Sequence, residues 1–288
     1  MNTRSEFDCL VPEVGFSRRG FMITALGAGF ALATQPVTAQ TAVKTDGEGL
    51  LAGEISVPAA DGPLAAYRAQ PATGGAFATI LVVSEIFGVH EYIADICRRL
   101  AKLGYQAVAP ELFARYGDPR KLSNIQDILT GIVGKVSDKE VFADLDACAA
   151  WAAKNGGDAS RLGITGFCWG GRIAWLYGAH NPKLRAAVAW YGRLDGEVNE
   201  RTPRHPLAIA AELKVPVLGL YGGKDPSTSR EDVERMRQVI AKAGGKSELV
   251  VYPDAPHAFH ADYRPTYRKE PAEDGWRRLR EWFAKNGL

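Results

Sequence analysis

Short apolar runs alternate with amphipathic stretches along most of the chain, and their periods predict its elements. Two β-rich runs, 54–57 and 64–69, flank the turn residues Asp61, Gly62 and Pro63. The run ATILVVS at 78–84 is apolar throughout, as expected of a strand covered on both faces of a parallel sheet. A helical period over 91–103 stops at Gly104, and a strand over 106–109 ends at Pro110. Residues 119–136 read as helix and loop above the sheet, 140–155 as an amphipathic helix closed by Gly156 and Gly157. RLGITGF at 161–167 is a further strand, followed by a helix over 170–178. The second half repeats the alternation, with strands at 186–191, 215–221 and 247–252 and helices at 230–243 and 273–285. Trp276, Leu279, Trp282 and Phe283 recur at helical spacing in the last helix and read as packing. Strands separated by helix-length segments predict an α/β fold, a mostly parallel central sheet with helices on both faces. In such a sheet, function gathers at the carboxyl ends of the strands.

The first 39 residues break this pattern. Arg18 and Arg19 precede Phe21, Met22 and the short apolar stretch ITALGAGFALA, which is followed by the small residues Val37 and Ala39. That order is the order of an export signal, and the apolar stretch falls short of the ~20 residues that span a bilayer. The arginine pair resembles a twin-arginine signal, which implies export of a folded protein by that machinery to the periplasm, with no stable membrane anchoring. The predicted organisation is a signal over 1–39, a linker over 40–53 and one domain over 54–288.

Composition narrows the partners. The 288 residues are 46% hydrophobic and 24% charged, with a net charge of +2, which excludes disorder and gives no electrostatic footprint for nucleic acid. The signal carries as many basic as acidic groups, so the charge survives its removal. Cys97, Cys148 and Cys168 remain after Cys9 leaves with the signal, and no Cys-x-x-Cys pair or other metal-ligand spacing occurs. No metal or cofactor is implied. Cys97 and Cys148 lie in helical patterns and read as small buried hydrophobes.

Cys168 differs. Gly166-Phe167-Cys168-Trp169-Gly170 stands between a strand and a helix, the Gly-x-nucleophile-x-Gly turn with cysteine in place of serine. Small flanks let strand and helix approach, and the helix N-terminus favours a thiolate. Enzymes built on this turn place an acid and then a histidine further along the chain. Asp225 follows the strand VPVLGLYG, and His257 follows SELVVY and a short turn. Three residue types in this order predict a triad: Cys168 attacks, His257 moves the proton and Asp225 orients the imidazole. His260 is the competing base; His257 lies closer to its strand.

These motifs, with Ser84-Glu85-Ile86-Phe87-Gly88, Gly223-Lys224-Asp225 and His257-Ala258-Phe259, resemble the dienelactone hydrolase (carboxymethylenebutenolidase) family of α/β-hydrolases over residues 54–285. The resemblance implies that Glu85 contacts the resting cysteine and helps deprotonate it. It implies oxyanion-hole N–H groups from Ile86 and Trp169, and Arg115 as a receptor for a substrate carboxylate. Ala258 and Ala261 depart from the family's pattern, the latter where a second arginine stands, with Arg264 or His260 as stand-ins. The expected function is hydrolysis of small activated esters or lactones through an acyl-enzyme. A carboxylesterase or acyl transferase on the same triad, and a non-catalytic binding protein on the same scaffold, are the alternatives.

Overall fold

The computed structural model describes residues 43–288. The expected export signal lies outside them. Eight strands form one sheet: β1 Leu50–Ala59, β2 Gly62–Pro71, β3 Phe77–Val83, β4 Gln106–Pro110, β5 Gly157–Phe167, β6 Leu184–Trp190, β7 Val217–Gly222 and β8 Glu248–Tyr252. Their order is β1-β2-β4-β3-β5-β6-β7-β8. The β1–β2 hairpin is antiparallel and joins β4 antiparallel, while every pair from β4 to β8 is parallel.

The helices are α1 Glu91–Lys102, α2 Ile125–Gly131, α3 Asp138–Lys154, α4 Trp169–His180, α5 Pro206–Ile209, α6 Arg230–Lys242 and α7 Lys269–Lys285. Alternation within the strands divides the core in two. Ile80 and Val82 of β3, with Val188 and Trp190 of β6, face one layer with Tyr92 and Ile93 of α1 and Leu279 and Phe283 of α7. Leu81 and Val83, with Ala187 and Ala189, face the other, with Leu145 of α3, Ile173 of α4 and Met236 of α6. Cys97 and Cys148 are buried, one in each layer. Among the described residues no helix is long and apolar enough to cross a membrane.

Several elements differ in extent from the sequence pattern. β1 begins at Leu50 rather than at 54, and β5 at Gly157 rather than at 161. The segment 119–136 is broken into 3-10 turns at Pro119–Lys121 and Val133–Lys135 around α2, because Asp118 and Asn124 each cap a new start. Residues 43–48, expected as linker, are docked on α1. Asp95 accepts the Thr45 N–H at 2.6 Å, Arg98 donates to Thr45 O at 2.9 Å, and Lys102 reaches Asp46 at 2.6 Å.

Candidate active site

Five neighbouring strands deliver side chains to the carboxyl edge of the sheet: Glu85 after β3, Cys168 after β5, Tyr191 after β6, Asp225 after β7 and His257 after β8. Cys168 sits at φ 55°, ψ −116°, as the cap of α4. That left-handed backbone is uncommon for a residue with a side chain and persists only when its surroundings enforce it. The enforcing contacts are backbone. Cys168 N–H donates to Trp190 O at 3.0 Å, and Cys168 O accepts from Gly171 N–H at 2.9 Å. A Cβ on Gly170 would stand 2.6 Å from Ser84 O, and one on Gly171 2.5 Å from Trp190 O. Glycine is required at both places so that α4 can start against the ends of β3 and β6.

A second backbone crossing sets the acid and the histidine. Gly223 N–H donates to Tyr252 O at 2.7 Å and Lys224 N–H to Ala255 O at 3.0 Å, which binds the loop after β7 to the loop after β8. A Cβ on Gly222 would lie 2.6 Å from Pro256 O, and one on Gly223 2.5 Å from Pro253 O. Between these loops Asp225 Oδ2 and His257 Nδ1 are 2.7 Å apart, both side chains buried. Ser227 donates to Asp225 Oδ1 from its N–H at 2.8 Å and its hydroxyl at 2.6 Å, so the other carboxylate oxygen is also held. The Tyr191 ring stands edge-on to His257 at 5.1 Å. Cys168 and His257 line one small cleft together with Trp169, Tyr191, Arg193 and Ser227.

Glu85 is buried beside this cleft. Its Oε2 accepts the Tyr263 hydroxyl at 2.6 Å, with Arg264 Nη2 at 3.7 Å and His90 Nε2 at 3.8 Å. Burial alone would push its pKa up, but the charge of Arg264, then His90 and the Tyr263 hydroxyl, outweigh burial and hold it at about 2. Arg264 is itself buried, with its guanidinium over the Phe87 ring at 4.9 Å and close enough to Cys168 to feel a thiolate there. Ile86, fully buried, follows Glu85 directly, and the Trp169 N–H opens α4 without an intrahelical acceptor.

Arg115 is not brought to this place. Its Nη1 and Nη2 contact Asp144 at 2.6 and 2.8 Å, and Nη2 and Nε contact Asp61 in the β1–β2 turn. With its guanidinium held by two carboxylates, Arg115 is placed between the β1–β2 turn and α3 and not in the wall of the Cys168 cleft. Ala258 and Ala261 are both fully buried, Ala258 at φ 56°. His260 sits beneath the site, its Nδ1 2.6 Å from the Tyr92 hydroxyl and its ring 4.4 Å from Trp190. Burial, and secondarily the Arg99 charge, push its pKa well below the usual value, which leaves it neutral and away from the cleft. Among the described residues no group of histidine, cysteine and carboxylate side chains is arranged to hold a metal ion. Sequence reasoning missed His90, Ser227 and Tyr263. Only Ser227 left a signal, two residues after Asp225.

Comparison with known proteins agrees with this architecture. The profile of the dienelactone hydrolase family matches residues 64–287. The chain is 58% identical over 280 residues to "Putative carboxymethylenebutenolidase" of Methylorubrum extorquens, covering 97% of this chain and 96% of that protein. Its Escherichia coli namesake is 54% identical over 267 residues, 92% of this chain and 98% of that one. A crystal structure titled "Putative Dienelactone Hydrolase", from Klebsiella pneumoniae, superposes with a TM-score of 0.80 at 55% identity, covering 82% of this chain and 98% of that one. The chain belongs to the dienelactone hydrolase family, hydrolases that act on ester and lactone bonds.

Proposed function

We propose that the protein hydrolyses small activated esters or lactones through a Cys168-His257-Asp225 triad and an acyl-enzyme. The observation that carries this reading is the buried Asp225–His257 pair, 2.7 Å apart, opening on the cleft that Cys168 also lines. With Nδ1–H donated to Asp225, the other imidazole nitrogen keeps its lone pair for proton transfer. When substrate enters, Glu85 accepts the Cys168 proton, and the thiolate attacks the carbonyl carbon. The oxyanion is received by the Ile86 and Trp169 N–H groups. Collapse breaks the carbonyl carbon–oxygen bond, so the alcohol or enol leaves as its oxyanion, takes its proton from solvent water, and leaves a thioester on Cys168. His257 then takes a proton from water as its oxygen attacks the thioester, and returns it as the thiolate is expelled. A thiolate leaves the tetrahedral intermediate readily, so the chemistry suits enol esters and lactones better than amides.

The test is turnover of a chromogenic aryl ester and of an enol lactone by wild type and Cys168→Ala. Loss of both activities in the variant, with unchanged thermal unfolding, is expected; equal rates would remove Cys168 from the mechanism. Acyl transfer to an added alcohol in preference to water would move the assignment to a transferase. For the cell, the twin-arginine-like leader supports export of the folded chain to the periplasm. Fractionation of wild type and an Arg18→Lys/Arg19→Lys precursor tests this, with retention of the variant in the cytoplasm as the expected result.

A further inference from the structure

Glu85 is only 1% exposed, and the cleft lined by Cys168 does not include it among its walls. A carboxyl group in that position can take up a proton only if some neighbour lets the proton leave again. Two of its three polar partners are unsuited to this. Arg264 keeps its protons at any accessible pH. Burial raises the Tyr263 hydroxyl well above its ordinary pKa, and although Arg264 opposes this, Glu85 adds to the rise.

The third partner is His90. Its Nε2 lies 3.8 Å from Glu85 Oε2 and has no hydrogen-bond partner among the described residues. The ring is framed by Tyr263, edge-on at 5.1 Å, and Tyr92, stacked at 5.9 Å, so it stays aimed at the carboxylate. Closing by about 1 Å brings the two atoms within hydrogen-bond distance. Yet 17% of the side chain is exposed, and His90 forms part of the wall of a second cleft, of about 760 Å³. This cleft lies between β2, the start of α1 and the loop after β4, and it shares no lining residue with the Cys168 cleft. On the cleft side the charged neighbours are Glu54, Glu91, Glu111, Asp118, Arg120 and Lys121; on the inner side they are Glu85 and Arg264, with the Tyr92 and Tyr263 hydroxyls. The backbone next to His90 is clamped from outside, since Glu111 accepts the Val89 N–H at 3.2 Å and Arg120 donates to Val89 O at 2.9 Å.

We propose that His90 is the proton relay between the buried Glu85 carboxyl and water in this second cleft. Rearming Glu85 then takes two coupled transfers: its O–H bond breaks as His90 Nε2 gains the proton, and Nδ1 gives up its own proton to cleft water; proton exchange of the neutral ring with that water restores the starting tautomer before the next turnover. Hydrolysis of an ester to a carboxylate and an alcohol releases one proton per turnover, and the relay supplies its exit. The inference rests on the reading that Glu85 takes the Cys168 proton.

Chemical rescue tests it. In His90→Ala, kcat for a chromogenic ester should fall about 100-fold or more, the scale of a lost acid–base group, with KM unchanged. Imidazole, small enough for the vacated space, should restore the rate saturably. Imidazole's own hydrolysis is subtracted with the His90→Ala/Cys168→Ala double variant, and thermal unfolding confirms that the variant is folded. His90→Gln, which fills the space but cannot take up and release a proton, should be as slow and should not respond to imidazole. A wild-type kcat in either variant, or no imidazole-dependent gain in His90→Ala, overturns the relay. Glu85→Gln separates the two ideas: wild-type rates there would defeat the role given to Glu85, whereas a slow Glu85→Gln beside an unrescued His90→Ala defeats the relay alone.

Discussion

Gly170 offers the sharpest test of how the turn at Cys168 is held, and Gly178 on the same helix supplies its control. In Gly170→Ala the new Cβ would stand 2.6 Å from Ser84 O and 2.8 Å from Val83 C, with Val83 O closer still. Carbon–oxygen contacts settle near 3.3 Å, so the end of β3 and the start of α4 must part by at least about 0.7 Å, and by more to relieve Val83 O. Neither can do so freely, because β3 is paired on both sides and α4 is tied to Trp190 through Cys168. Overpacking of this kind costs about 3 kcal/mol, the upper end for an inserted methyl group, because both opposing groups are backbone. At this chain length the loss lowers the unfolding midpoint by about 6–12 °C. The displaced residues lead directly into Glu85 and Ile86, and a misplacement approaching 1 Å costs about 100-fold in kcat/KM. In Gly178→Ala the Cβ meets only Val217 Cγ2 at 3.4 Å and Leu213 Cδ2 at 3.8 Å, ordinary contacts. That variant gains helix propensity, about 1 kcal/mol, and should be as stable as wild type or more so. Scanning fluorimetry and ester turnover on the two proteins decide the matter. A Gly170→Ala enzyme with wild-type midpoint and rate would refute the argument that backbone approach fixes the turn.

Other outcomes follow from the same geometry. Asp225→Asn should lower kcat by about 10³- to 10⁴-fold by spoiling the imidazole tautomer, whereas Ser227→Ala, removing one hydroxyl donor, should cost about fivefold in the same ester assay. Glu85 is held at about 2 against an ordinary 4.5, so its contribution to stability is present above pH 4.5 and is lost as pH falls towards 2. The depression corresponds to something on the order of 3 kcal/mol. Arg264→Met removes the counter-charge and should move the acid limb of stability to higher pH, read from urea unfolding at about pH 3 and pH 6. Arg115→Gln should destabilise the fold by about 1–2 kcal/mol, because Asp144 loses a buried partner, and leave KM for an anionic ester unchanged. A raised KM with unaltered stability would restore Arg115 as a substrate contact.

What could be read from the chain was what local spacing encodes. The apolar run of β3 and the glycines around Cys168 are consecutive in sequence, and the turns after β7 and β8 announce Asp225 and His257 in the same way. The partners of Glu85 could not be read so, since Tyr263 reaches it across 178 residues through a pairing that no period marks. The partners of Arg115 were hidden for a related reason: Asp61 and Asp144, which hold its guanidinium, are both distant along the chain. The early start of β5 was hidden because Asp158, Ala159 and Ser160 carry no apolar pattern and lie at the end of the sheet where its pairing with β3 is irregular.

The loops after β7 and β8 are locked to each other, while Cys168 is fixed by β3, β6 and the start of α4. The proposed acid–base pair and the proposed nucleophile are thus held by different backbone contacts, on loops that the β6–β7 pairing joins below the cleft. A change at Cys168 leaves the Asp225–His257 spacing as it was, and a change in the paired loops leaves the strained turn intact. Such an arrangement makes the scaffold modular under selection: the residue at the strained turn can be exchanged, cysteine for serine for instance, without rebuilding the Asp225–His257 pair.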